Sequence, residues 1–232
     1  MSVLDVGCGT GVITGGIAQA VGPTGTVVGV DVSEDLLAHA AAKHAGEANL
    51  SFEIANVVRL SYRDAFGVVT AARVLQWLGD PMSALAGMVA AVKPGGRIVA
   101  LDYSHAKARW EPEPPVAFTR FYHAFLDWRA DAGMDNAIAD HLAAMLSNAG
   151  LLKVEVTDES ELTTRSDAEF DRRMSLWPSV IATRGHQVVA DGMLEEAERA
   201  AAGEAFMQWL ATDAELQSMY LLAATGEKPQ AT

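Results

Sequence analysis

One cysteine, Cys8, stands among 232 residues, so no internal disulfide can brace the fold. No apolar run reaches the roughly 18 to 20 residues that a membrane-spanning helix needs, and no basic segment followed by an apolar stretch opens the chain. Both absences point to a soluble protein in a reducing cytoplasm. Basic residues are scarce as well, 17 against 30 acidic ones, for a formal net charge of −13. Such a surface repels phosphate backbones and gives counterion-release binding no footing. Nucleic acid and anionic membranes are therefore not expected partners. What is abundant is apolar side chain, at 50% of residues, ample for one buried core of ordinary size.

Short β-branched runs alternate with helix-length stretches through the first half, the pattern of a parallel sheet covered on both faces. Strands are expected near residues 3 to 6, 26 to 32, 50 to 56, 66 to 74 and 96 to 103. Val12 to Val21, Glu34 to Ala45 and Pro81 to Val92 carry apolar residues at helical spacing, with Ser33 placed to cap the second. After Tyr103 the rhythm changes. A proline-rich link leads into a helix bearing Phe118, Phe121, Tyr122, Phe125 and Trp128 on one face, and Asp135 or Asn136 caps the next helix up to Gly150. A strand is expected at 152 to 157. Ser166 and Glu169 read as a capping box ahead of a helix that Pro178 kinks. A further helix is expected at about 193 to 210, and a last strand at 218 to 225.

The strongest local signal is Val3-Leu4-Asp5-Val6-Gly7-Cys8-Gly9-Thr10-Gly11, a strand that ends in a glycine turn and opens a helix. Glycines let the backbone turn sharply and approach a ligand closely, and a helix N-terminus offers free N–H donors. The spacing is GxGxG, with Val12 where a dinucleotide fingerprint wants its third glycine, which weighs against NAD or FAD. Asp31 lies twenty residues beyond Gly11 at the end of the second strand, where a carboxylate can accept both hydroxyls of a ribose.

These stretches, LDVGCGTG, GVDVS, VLQWLGDP and KPGGRIVALDY, resemble in order the motifs of class I S-adenosylmethionine-dependent methyltransferases, over about residues 1 to 103. The resemblance implies an α/β fold with a doubly wound, mostly parallel seven-stranded sheet, closed by an antiparallel hairpin and carrying helical insertions in its C-terminal half. The expected division is a cofactor-binding half at 1–103, a helical cap at 104–134, and a C-terminal half at 135–232 with an insertion at 158–213. It implies S-adenosyl-L-methionine as cofactor, and no metal. Asp5 and Gly7, Cys8, Gly9, Thr10 and Gly11 would surround its methionine part, Asp31 would hold its ribose, and Asn56 with Val57 would meet its adenine; Val32 and, after the fourth strand, Arg73 would be further contacts. The family more often has aspartate at the position of Asn56 and histidine at that of Trp77. Lys93 to Gly96 read as the turn before the fifth strand.

The acceptor implied is a small molecule, methylated on O, N or C by in-line displacement. Alignment and exclusion of water can supply most of that rate, so no catalytic residue need stand out. Tyr103, His105, His123 and His186 are the candidate bases, each with a structural role as its alternative. The aromatic stripe can wall an acceptor or simply pack on its neighbours. Arg172, Arg173 and Arg184 can clamp an acid or form a solvated face. Arsenite chemistry is excluded because Cys8 has no thiol companion. Two other classes fit the same residues: a non-catalytic S-adenosylmethionine-binding protein and a nicotinamide-dependent reductase. Met1 stands two residues before the first strand, which leads to the expectation of a longer form with a helical lid. The form beginning at Met1 would bind cofactor more weakly, turn over more slowly and expose an apolar patch, favouring a homo-oligomer.

Overall fold

A computed structural model describes residues 1–230. In chain order the first half runs β1 (Ser2–Val6), α1 (Val12–Val21), β2 (Thr26–Asp31), α2 (Glu34–Lys43), β3 (Leu50–Ile54), β4 (Phe66–Ala72), α3 (Pro81–Ala91) and β5 (Val92–Tyr103). The second half runs β6 (Arg109–Glu111), α4 (Val116–Asp131), α5 (Ile138–Asn148), β7 (Leu152–Asp158), β8 (Glu161–Thr164), α6 (Phe170–Met174), α7 (Leu176–Ala190), α8 (Glu196–Thr212), β9 (Leu216–Met219) and β10 (Leu221–Glu227). Backbone packing divides the chain into two compact units. The first comprises Met1–Asp102, Ile138–Asp158 and the chain from Leu222 onward; the second comprises Tyr103–Ala137 and Glu159–Leu221.

The first unit is built on a seven-stranded sheet in the order β3-β2-β1-β4-β5-β10-β7. β1 pairs in parallel with both β2 and β4, β2 with β3 and β4 with β5, while β10 and β7 run antiparallel. Val3, Leu4, Asp5 and Val6 are all buried, as a strand with helices on both faces requires. Leu4 and Val6 join Val69, Leu85, Met88 and Ile98 in the main core, to which α5 adds Ile138, Leu142 and Leu146. Ser33 caps α2 by accepting from the Leu36 N–H at 3.3 Å, as expected. From β1 the chain winds outward through β2 to β3, then returns to β4 on the other side of β1. That reversal leaves a crevice beyond the C-terminal end of β1, where open α/β sheets bind their ligands.

The second unit packs α4, α7 and α8 together beside a small antiparallel sheet, β6-β9-β8. Phe118, Phe121, Tyr122, Phe125 and Trp128 are all buried, so the aromatic stripe is core. Phe118 meets Phe206 of α8 with ring centroids 4.4 Å apart.

Several local expectations change. The run 218 to 225 is two strands, not one: β9 belongs to the small sheet and β10 to the large one, parting at Tyr220. Apolar patterning marks extended, half-buried chain but does not say which partner strand it pairs with. The helix around Pro178 is not kinked there; it breaks at Ser175, and Pro178 is the third residue of α7. First-turn N–H groups have no intrahelical acceptor, so a missing donor costs little at that position. Ser166 and Glu169 form no capping box: Ser166 Oγ lies 3.0 Å from Thr164 Oγ1, and Glu169 makes no side-chain cap. The capping box present joins Glu195 and Glu198 at α8. Lys93 to Gly96 are not a separate turn but the irregular start of β5, where Gly95 takes φ +75°.

Candidate functional site

The loop after β1 passes through three left-handed glycines, Gly7 (φ +65°), Gly9 (+53°) and Gly11 (+73°). They serve different ends. A Cβ on Gly7 would stand 2.4 Å from Val74 Cγ2, and one on Gly11 2.7 Å from Phe52 Cζ, so packing within the first unit demands both glycines. A Cβ on Gly9 would meet nothing within 4 Å. At Gly9 the backbone borders open space. The helix that follows, α1, has Gly11 at its N-cap and so no side-chain cap, leaving its first-turn N–H groups to an outside acceptor. Thr10 is half-buried in the same turn.

Asp31, at the end of β2, holds this loop. One carboxylate oxygen accepts from Gly9 N–H at 2.9 Å and the other from Ser33 N–H at 3.0 Å. An ionised carboxylate offers about four lone-pair sites, so each oxygen can still accept one more donor. Asp5 lies beneath, buried, with one oxygen accepting from Thr14 Oγ1 and the other from Thr70 Oγ1, both at 2.7 Å. Burial raises its carboxyl above the ordinary range against the two hydroxyls, which lower it. It thereby clasps α1 and β4 to β1.

Around this mouth the surface is apolar. Val32 is 66% exposed and Ile54 62%, and Ile54 stands in register with Asp31 across the β2–β3 pair. Val12 and Ile13 at the start of α1 are exposed too. Exposed aliphatic side chains at the ends of parallel strands suit a flat heterocycle rather than water. Sequence reading did not single out Ile54; its signal was its place at the end of the strand beside Asp31. Asn56 caps the short turn Val57–Arg59, accepting from Val58 N–H at 3.0 Å, while the Val57 side chain joins the core. Arg73 follows β4 with φ +62°, its N–H donating to the Leu101 carbonyl at 2.6 Å and its side chain exposed. A non-glycine residue held there stores strain of a kind that clusters at ligand sites.

Cys8 sits in the loop with its thiol pushed up to about 12 by burial and by the charges of Asp5 and Asp31. The thiolate is the reacting form. At pH 7.5 its alkylation is therefore expected to run roughly a thousandfold slower than that of a free cysteine. The rate followed with iodoacetamide should still climb about tenfold per pH unit through pH 10; a plateau below pH 9.5 would contradict this.

The four candidate bases all belong to the second unit. Tyr103 is buried and donates its hydroxyl to Glu161 Oε2 at 3.0 Å. His105 is packed between Phe125 and Trp177, its ring 6.1 Å from that of Tyr103. Burial first, then Arg129, lowers its imidazole to about 3, so it is neutral at physiological pH. Tyr103 and His105 are thus brought together. His123 is exposed on α4, and His186 is exposed on α7 with Nδ1 3.6 Å from Glu196 Oε2. Arg172 pairs with Glu169 and Arg184 bonds Gln187 on exposed faces.

Residues 1–150 match a family model described as a methyltransferase domain. The demethylmenaquinone methyltransferase of Lactococcus lactis subsp. lactis is 39% identical over 108 residues, 45% of this chain and 43% of that protein. That of Shouchella clausii is 42% identical over 124 residues, 52% and 50% respectively. The chain spans about half the length of these curated relatives. Among solved structures, phosphoethanolamine N-methyltransferase 2 of Haemonchus contortus, in complex with S-adenosyl-L-methionine, aligns over 99% of this chain and 49% of that one. Its TM-score is 0.59 at 17% identity, a likeness of fold alone. No helix among the described residues is long and apolar enough to cross a membrane.

Proposed function

The chain belongs to the methyltransferase domain family, and from that premise we propose that it transfers the methyl group of S-adenosyl-L-methionine to a small-molecule acceptor. The observation that carries the reading is the joint between Gly9 and Asp31. An open left-handed glycine at a sheet crevice is tied by a 2.9 Å hydrogen bond to a carboxylate with acceptor capacity to spare. Gly9 and the uncapped first turn of α1 give an amino-acid carboxylate room and N–H donors. Asp31 accepts from ribose hydroxyls, Val32 and Ile54 flank the adenine, and Asn56 meets its edge. Bound there, the cofactor supplies an electrophilic methyl on a sulfonium, and the protein's contribution is to align it and keep water away.

The net charge of −13 favours a small acceptor over a nucleic acid, and the lone cysteine fits a reducing cytoplasm. Two of the relatives are named for demethylmenaquinone, which puts naphthoquinols first in an acceptor panel that should also include phenols and small amines. S-adenosylhomocysteine at about 100 times its dissociation constant is expected to stabilise the protein by about 2.7 kcal/mol. Calorimetry and thermal melting measure this, with NADH as the competing ligand. Stabilisation by NADH and not by S-adenosylhomocysteine would overturn the reading. Binding without methyl transfer to any acceptor would leave a binding protein.

A further inference from the structure

The second unit contains a cavity of about 360 Å³ that the methyl-transfer reading does not use. It runs between β6, an edge strand of the small sheet, and the first turns of α4, and Arg109, Trp110, Glu111, Glu113, Tyr122 and His123 are among the residues that line it. The aromatic polar ends are turned away into the protein: the Trp110 indole N–H donates to Gln217 Oε1 at 3.0 Å, and the Tyr122 hydroxyl to the His105 carbonyl. Phe118, Tyr122 and Trp177 hold the Trp110 ring edge-to-face at 5.0 to 5.5 Å. A rigid, half-buried indole therefore offers the cavity ring surface and no donor.

The rim is charged. Glu111, Glu113 and Arg109 are exposed, and among the described residues no ion pair or side-chain hydrogen bond engages any of them. Two carboxylates against one guanidinium, with the exposed imidazole of His123 beside them, give the rim a negative formal charge when that imidazole is neutral, on a protein that is itself strongly acidic. A negative rim over an aromatic floor repels anions. It leaves a neutral ligand to strip water from carboxylates with nothing in return. A bare metal ion would find ring carbon where it needs oxygen. An alkylated ammonium meets both demands, because aromatic faces attract a diffuse cation and the carboxylates balance its charge.

We propose that this cavity binds an organic ammonium ion, its alkyl groups against Trp110 and its charge facing Glu111 and Glu113. The proposal does not rest on methyl transfer and is tested without cofactor. Choline and its neutral isostere 3,3-dimethyl-1-butanol are titrated into the full chain at low ionic strength, followed by tryptophan fluorescence and calorimetry. Choline is expected to saturate, with the isostere at least about tenfold weaker. Glu111→Gln and Glu113→Gln should each weaken choline about two- to fivefold, and together about tenfold. Arg109→Gln should strengthen it by about two- to fivefold, since it removes a repelling charge. Trp110→Phe, which keeps a ring, should bind more weakly while melting close to the parent. Equal binding of the two probes, no saturation at tens of millimolar choline, or weaker binding by Arg109→Gln would each overturn the assignment.

Discussion

Asp31→Ala is expected to lower S-adenosylhomocysteine affinity by at least about two orders of magnitude, about 2.7 kcal/mol or more. Two sets of interactions go together. Each hydrogen bond from a ribose hydroxyl to the carboxylate is worth about 1.5 to 3 kcal/mol when charge-assisted. The same carboxylate accepts from the N–H groups of Gly9 and Ser33, so its loss also releases the loop at Gly9. Asp31→Asn keeps one carbonyl acceptor and turns an amide donor toward the other partner, and should cost about tenfold. Calorimetry gives the affinities and thermal melting of the free proteins gives the loop's share. A lower melting temperature with unchanged affinity would reduce Asp31 to a loop clamp.

Gly7→Ala and Gly9→Ala should separate stability from binding at two positions with the same kind of backbone. Both stand at positive φ, where a Cβ costs about 1 to 2 kcal/mol. Gly7 adds a 2.4 Å collision with Val74, a short, stiff side chain, and overpacking of that kind costs about 1 to 3 kcal/mol more. Its alanine variant is expected to lose about 2 to 5 kcal/mol, or about 5 to 15 °C in melting temperature. Gly9→Ala has nothing within 4 Å to strike and should melt within a few degrees of the parent. Its methyl would instead enter the open space that the proposed cofactor site occupies, so binding of S-adenosylhomocysteine should be lost. Equal loss of stability in both variants, or intact binding by Gly9→Ala, would contradict the distinction.

Legibility in the sequence followed the range of the interactions involved. The strand–glycine turn–helix at Val3 to Gly11 and the Ser33 cap rest on contacts between near neighbours, and the strands through Tyr103 announce themselves by short apolar, β-branched runs, which patterning reports directly even though their pairing is long-range. Cofactor candidates such as Asp31 could be named because a βα turn and the strand beside it are coupled by sheet geometry. The roles of the candidate bases could not, because exposure separates a working histidine from a buried one. His105 lies among aromatic rings contributed by α4 and α7, and nothing in its neighbours along the chain announces that burial.

By itself, then, the sequence determined the alternation of strands and helices, the glycine turn, and the formal net charge of −13. Each of these is a property of residue type and short spacing. The tertiary structure decided the rest. It drew β9 and β10 into different sheets although they are separated by Tyr220 alone. It assigned Gly7 and Gly11 to packing and Gly9 to open space, and it set Trp110 against Gln217, more than a hundred residues away. The physical reason is common to all three: strand pairing, steric contact and burial depend on which distant segments meet, and that is settled by the whole chain's packing rather than by any local stretch of it.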